Sequence, residues 1–294
     1  MSLEIGEFMQ ENNLCDNKNS LSTEFRKKIY NIVRKMMSTT RNFKIEVLNE
    51  EKLKTNGTTI YAVNHSNYHD IPTVSEISNE HFFLLLGVQK LRLIDRIAFF
   101  LLGRIYVDRK DKISKQEAKE QMIDLASKGN HLLIFPEGTW NVTPNKLVLP
   151  LNWGIIDIAR TTGAKIKPIN FEYFGDKCFV NVGDDIIVTK DDDKKQKIDE
   201  LEESMATLKW QTLEGNGIYS RTSITEKDFE CYTKDRFEEY KPIDPDYESS
   251  IIRKVYDTEE EVFSHFRDLK ITKETAFLIK PKNEYNDKYE TKVR

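Results

Sequence analysis

Asn64-His65-Ser66-Asn67-Tyr68-His69-Asp70 follows directly on the apolar run Ile60-Tyr61-Ala62-Val63. Histidine is the side chain whose ordinary pKa, about 6.5, lies closest to neutrality. An aspartate beside it can keep one ring nitrogen protonated while the other accepts a proton. His65 and Asp70 are five positions apart. On one continuous helix they would point roughly 140° apart, so they meet only where the chain turns, as where a strand runs into a helix. Ser66, Asn67 and Asp70 suit a helix entry, and Pro72 an early helical turn. The stretch therefore predicts a strand, a turn and a helix, with a His-Asp dyad at the turn. Other readings compete: two loop histidines, a zinc pair on a helix, or a hydrolase serine. The zinc pattern needs Glu where Ser66 stands, and the flanking glycines of a nucleophile elbow are absent.

Outward from this stretch, strands alternate with helices. Phe43 to Leu48, Thr58 to Val63, His81 to Val88, Arg104 to Val107, His131 to Phe135 and Ile166 to Phe171 read as strands, and Val180 to Val188 as a hairpin through Gly183-Asp184. Ile71 to Ser78, Leu91 to Leu102, Ser114 to Lys128, Trp153 to Thr161 and Lys194 to Leu213 read as helices, several ending at glycine. The alternation predicts an α/β protein with a central mixed sheet flanked by helices. Its polar clusters, His65 with Asp70, Asp108-Arg109 and Glu137-Gly138-Thr139, fall just after strand C-termini, where open α/β sheets place their ligands.

Thr23 to Met37 reads as a basic amphipathic helix with Phe25, Ile29, Ile32, Val33 and Met36 on one side. Such a helix lies either on an anionic membrane or on the core with a solvated Lys/Arg face. Three segments follow: an N-terminal arm and amphipathic helix over 1–40, a catalytic α/β unit over 41–190, and a charged, mainly helical C-terminal extension over 191–294, with a further helix at Glu259 to Leu269.

The 294 residues are 38% hydrophobic and 32% charged, with a net charge of −4. No global basic footprint points to nucleic acid. The 3 cysteines are scattered and give neither a disulfide framework nor a zinc pattern, as in a reducing cytosol. The N-terminus carries Glu4 and Glu7 without an apolar signal core, and no run approaches the ~20 apolar residues that span a bilayer. The expectation is a cytoplasmic protein, soluble or resting on the inner face of a membrane.

The ordered blocks together resemble the glycerolipid acyltransferase family, of the 1-acylglycerol-3-phosphate O-acyltransferase type. Asn64 to Asp70 is similar to its His-x4-Asp block, Gly103-Arg-Ile-Tyr-Val-Asp-Arg109 to its second, Phe135-Pro-Glu-Gly-Thr139 to its third, and Ile166-Lys-Pro-Ile169 to its fourth. The resemblance covers about residues 40–190. It implies a glycerol-3-phosphate acyltransferase-like fold and transfer of a fatty acyl group from a thioester, on coenzyme A or acyl carrier protein, to a hydroxyl of lysophosphatidate or a related lysophospholipid in phospholipid biosynthesis. By the same resemblance His65 is the general base and Asp70 its orienting partner. Arg109 faces the acceptor phosphate, with Arg104 as a second cation. Glu137, Gly138 and Thr139 shape the acceptor site. No metal or redox cofactor is implied.

Family members often continue the third block with Arg-Ser and carry a Phe-Lys pair further on; Trp140-Asn141 and Leu151-Asn152 stand there instead. The missing cations leave open a glycolipid or other hydroxyl acceptor. The aromatic, charged C-terminal segment leaves open a non-catalytic lipid-binding protein.

Overall fold

A computed structural model describes residues 21–39, 43–65, 68–87, 91, 93–141, 146–216, 224–231 and 278–279. Ser66, Asn67 and the helix expected at Glu259 to Leu269 lie outside these, as does most of the C-terminal extension. The elements in chain order are α1 (Thr23–Ser38), β1 (Lys44–Leu48), a 3-10 turn (Glu50–Leu53), β2 (Thr59–Val63), α2 (Asp70–Ile77), β3 (Phe82–Gly87), α3 (Leu93–Leu102), β4 (Arg104–Val107), α4 (Lys112–Ser127), β5 (His131–Ile134), α5 (Gly154–Thr162), β6 (Lys165–Phe174), β7 (Lys177–Val182) and α6 (Lys194–Gly215).

The strands form one mixed seven-stranded sheet in the order β1-β7-β6-β2-β5-β3-β4. β6, β2, β5, β3 and β4 run parallel; β7 pairs antiparallel with β6 and parallel with β1. β2 is the middle strand of the seven and all five of its residues are buried, as expected for a strand covered on both faces. Ile60 and Ala62 enter one core, with residues of α4, α5 and α6. Tyr61 and Val63 enter the other, with residues of α1, α2 and α3. Each fully buried Ile, Leu or Phe contributes about 1.5–3 kcal/mol, so this double-sided run is what anchors the strand that leads to His65.

Three features differ from the sequence expectation. The hairpin does not turn at Gly183-Asp184. It turns between β6 and β7, where Gly175 adopts a positive φ of 58°. Beyond β7 the chain makes a single antiparallel bridge, Ile186 to Ile166. The second difference is the face that α1 turns inward. Arg26, Tyr30, Val33 and Met37 are buried, while Phe25 and Ile32 are exposed. Polar contacts set this rotation. The Arg26 guanidinium donates to the carbonyls of Phe100 and Leu101 at the end of α3, and the Tyr30 hydroxyl donates to Ser75 O. Third, α1 and α6, placed outside the 41–190 unit by the sequence, belong to the same two cores. Tyr30, Val33 and Met37 pack on one face, and Ile198, Leu201 and Met205 on the other.

Candidate active site

The site is assembled at the C-terminal ends of β2, β5, β3 and β4. Asn64 continues the pairing of β2 with β6 through its side chain: its amide nitrogen donates to Phe171 O at 3.0 Å, and its amide oxygen accepts from Phe171 N at 2.6 Å. The chain then leaves the sheet at His65 and enters α2 at Asp70. This is the turn that the spacing required, and it brings His65 Nδ1 to 2.8 Å from Asp70 Oδ2.

Asp70 is fully buried in the first turn of α2, where the helix dipole favours a negative charge. Its other oxygen accepts from the Tyr173 hydroxyl at 2.6 Å. Burial and then the neighbouring Asp70 charge push the Tyr173 phenol well above its ordinary value, so it stays a donor. The His65 ring stacks on Phe135, with centroids 4.1 Å apart and planes at 19°.

The remaining ring nitrogen is also engaged. Trp140 Nε1 lies 2.7 Å from His65 Nε2. An indole N–H donates and cannot accept. Nε2 therefore carries the lone pair, and the proton sits on Nδ1, pointing at Asp70. The imidazole is neutral, in the tautomer a base needs.

The loop after β5 holds His65 by its backbone as well. Glu137 accepts from His65 N at 3.3 Å with one oxygen and from Leu149 N at 2.8 Å with the other. Asn141 N donates to His65 O at 2.7 Å. Glu137 is buried, and burial raises its carboxyl to about 7 despite the opposing pull of the amide donors. Glu137 thus ties the backbone of His65 to that of Leu149.

A cavity of about 90 Å³ lies at His65, lined also by Ile71, Phe135, Thr139 and Trp140. A larger one of about 380 Å³ runs between α4 and α5, with Ala118, Met122, Ile134, Ile155 and Ile158 in its wall and Lys112, Lys115 and Lys119 among its lining residues. Leu85, Val107, Arg109, Phe135 and Gly138 line both. Arg109 stands at that shared boundary, its guanidinium donating to Gly138 O. Gly138 has a positive φ of 73°, and a Cβ there would meet Asn152 Nδ2 at 2.6 Å, so this turn admits glycine alone. Thr139 is buried at the lip.

Arg104, the second cation that the resemblance implied, lies apart from the cavities. It donates to Arg96 O at 3.1 Å and stacks between the rings of Phe100 and Tyr106, and it lines neither cavity. As a residue inside β4 it cannot reach past the strand end, whereas Arg109 lies beyond it. His69 packs edge-on against Phe43. Tyr173 and the Asn64 pairing were missed in the sequence. Tyr173 is 103 positions from Asp70 and carried no local signal, while Asn64 was marked only by its place before His65. Among the described residues, no group of three or more His, Cys, Asp or Glu side chains is arranged to hold a metal ion.

Comparison with known proteins agrees with this geometry. Residues 44–172 match the family model described as Acyltransferase. A 1-acyl-sn-glycerol-3-phosphate acyltransferase of Chlamydomonas reinhardtii is 26% identical over 133 residues, covering 45% of this chain and 40% of the relative. The chloroplastic 1-acyl-sn-glycerol-3-phosphate acyltransferase BAT2 of Brassica napus is 25% identical over 154 residues, covering 51% of this chain and 44% of the relative. The chain thus spans less than half the length of either curated relative. The crystal structure of PlsC, the 1-acyl-sn-glycerophosphate (LPA) acyltransferase of Thermotoga maritima, superposes with a TM-score of 0.54 at 17% identity, over 74% of this chain and 95% of that one. It shares the mixed sheet and flanking helices.

Proposed function

We propose, from the match of residues 44–172 to the acyltransferase family model, that the protein moves a fatty acyl group from an acyl thioester to a hydroxyl of lysophosphatidate or a related lysophospholipid. The observation that carries this reading is the His65–Asp70 pair at 2.8 Å, beside a cavity that His65 and Arg109 both line. The acceptor hydroxyl gives its proton to Nε2 as its oxygen attacks the thioester carbonyl carbon. Asp70 stabilises the imidazolium that forms. The C–S bond then breaks, and the imidazolium returns the proton to the leaving thiolate. Such base catalysis is worth about 10²–10⁴-fold.

Arg109 offers a guanidinium fork to an acceptor phosphate. The larger cavity, apolar in much of its wall, suits an acyl chain. The donor is acyl-coenzyme A or an acyl-carrier-protein thioester, and the steps as written call for no metal or redox cofactor. The acceptor lives in a bilayer, so the protein works from the cytoplasm as a peripheral enzyme on the inner face of a membrane. The exposed Leu93, Ile94 and Ile97 of α3 support that placement, as do Phe25 and Ile32 of α1, a helix in contact with α3. No described helix is long and apolar enough to cross a membrane.

Transfer of labelled acyl groups from either thioester to lysophosphatidate, compared between the wild type and His65→Ala, tests the reading. Turnover by the wild type alone supports it; equal turnover by both rejects it. A second reading has its own observation. Trp140 lines the cavity at His65 at the position where family members often carry an arginine, which suits a glycolipid or other acceptor. Rates indifferent to an acceptor phosphate would favour it.

A further inference from the structure

We propose that Trp140 is a placeholder on the catalytic imidazole. Its indole N–H occupies the position that the acceptor hydroxyl takes during transfer, keeps water off that nitrogen while an acyl thioester is bound, and is displaced when the acceptor enters. The inference rests on the acyl-transfer reading of the same site.

Three observations support it. The indole nitrogen is 2.7 Å from His65 Nε2, so the lone pair that must take the acceptor's proton is already filled. Trp140 is buried and lines the cavity at His65 together with Arg109. Its ring meets Tyr68 edge-on at 4.7 Å, and Tyr68 is 52% exposed, so a surface side chain covers the indole from outside. Displacement exchanges one neutral hydrogen bond to Nε2 for another, which leaves little net free energy to overcome. The freed N–H remains beside the cavity, where oxygens of the entering acceptor can receive it.

The purpose follows from the chemistry of the alternative nucleophile. Water on Nε2 would give up a proton to the ring as its oxygen attacked the thioester carbonyl carbon. The C–S bond would break, and the thiolate would take the proton back, yielding carboxylic acid and free thiol. A donor held in an uncapped site would be lost to hydrolysis.

Two measurements test the cap. Diethyl pyrocarbonate acylates a neutral imidazole nitrogen, and peptide mass spectrometry reads its rate at His65 without any substrate. Trp140→Phe, which keeps an aromatic ring and removes the N–H, should accelerate His65 labelling by about threefold to tenfold, the scale of one neutral hydrogen bond. The ratio of acyl-thioester hydrolysis to transfer should rise by a similar factor. An unchanged labelling rate with an unchanged ratio overturns the proposal. Buried His81 is the internal control for folding, because it becomes labelled only if the protein opens. If Trp140→Phe fails that control, Tyr68→Ala decides, with a smaller rise expected in both quantities and no rise counting against the cap. Faster His65 labelling in a protein that transfers to no lysophospholipid upholds the cap and removes the acceptor assignment instead.

Discussion

At the N-terminal end of the parallel strands, His131 begins β5 and His81 immediately precedes β3. His131 Nδ1 accepts from Thr59 N at 3.2 Å, and His81 Nε2 lies 2.7 Å from the carbonyl of Leu102. Burial lowers both, His81 to about 4, so near neutral pH they serve as uncharged brackets between elements. At the opposite end of the same sheet, His65 meets a buried carboxylate through Nδ1 and borders a cavity. The ring is identical in all three cases. What differs is whether its partner is a neutral backbone group, whose support for an imidazolium is outweighed by burial at His81, or an anion, which stabilises one. The contrast teaches that histidine chemistry in this fold depends on which end of the strands the ring occupies.

The largest effect expected from this contrast is on turnover. His65→Ala should lower acyl transfer by about 10²–10⁴-fold with little change in thermal midpoint, whereas His81→Gln should leave the rate within a fewfold. Equal losses of turnover in steady-state assays would erase the distinction between the two ends.

Asp70→Asn comes next. It keeps the shape but removes the charge that His65 and Tyr173 share, and should lower kcat by about 10³-fold, somewhat less than the ~10⁴-fold that follows when a triad aspartate becomes asparagine. A full-rate variant would show that the carboxylate is not the orienting partner.

The third effect is on stability. The folded pKa of His81 is lowered to about 4 from an ordinary 6.5. Between those values the unfolded chain binds a proton that the folded one refuses. Stability should therefore fall as pH drops from 6.5 to 4, by up to about 3 kcal/mol from this residue, and level off below. Denaturant titrations across that window should show a flatter profile for His81→Gln; an identical profile would mean that the buried ring contributes nothing.

The smallest effect is at Tyr173→Phe. Losing one hydrogen bond to Asp70 should cost about 1 kcal/mol of transition-state positioning, a drop of several-fold in kcat. A drop as deep as that of Asp70→Asn would promote Tyr173 from support to an essential part of the dyad.

The strands and helices were legible because their signals are local. β2 shows five successive buried residues, and the stripe Ile198, Leu201, Met205 and Leu208 of α6 recurs at helical spacing and is buried as expected. The face of α1 was misread because hydrophobic periodicity cannot anticipate a buried arginine. Arg26 turns inward for two carbonyls at the end of α3, some 75 positions away. The turn of the hairpin was misplaced because Gly175-Asp176 and Gly183-Asp184 are the same dipeptide. Only pairing with β6 distinguishes them. In the site, His65 and Asp70 could be paired from spacing and turn chemistry. Arg109 could be ranked above Arg104 as well, because the strand read at Arg104 to Val107 has the bounds it takes in the fold and leaves Arg109 beyond its end.

The sequence by itself determined the α/β alternation, the placement of polar clusters after strand ends, and the His-x4-Asp turn, because each is set by residues within a few positions of one another. Tertiary structure alone decided that Tyr173 holds Asp70, that Glu137 braces the backbone of His65, and that Trp140 fills its free nitrogen. Those contacts join segments 72 to 103 positions apart. They exist only once the sheet has brought the ends of β2, β5 and β6 side by side.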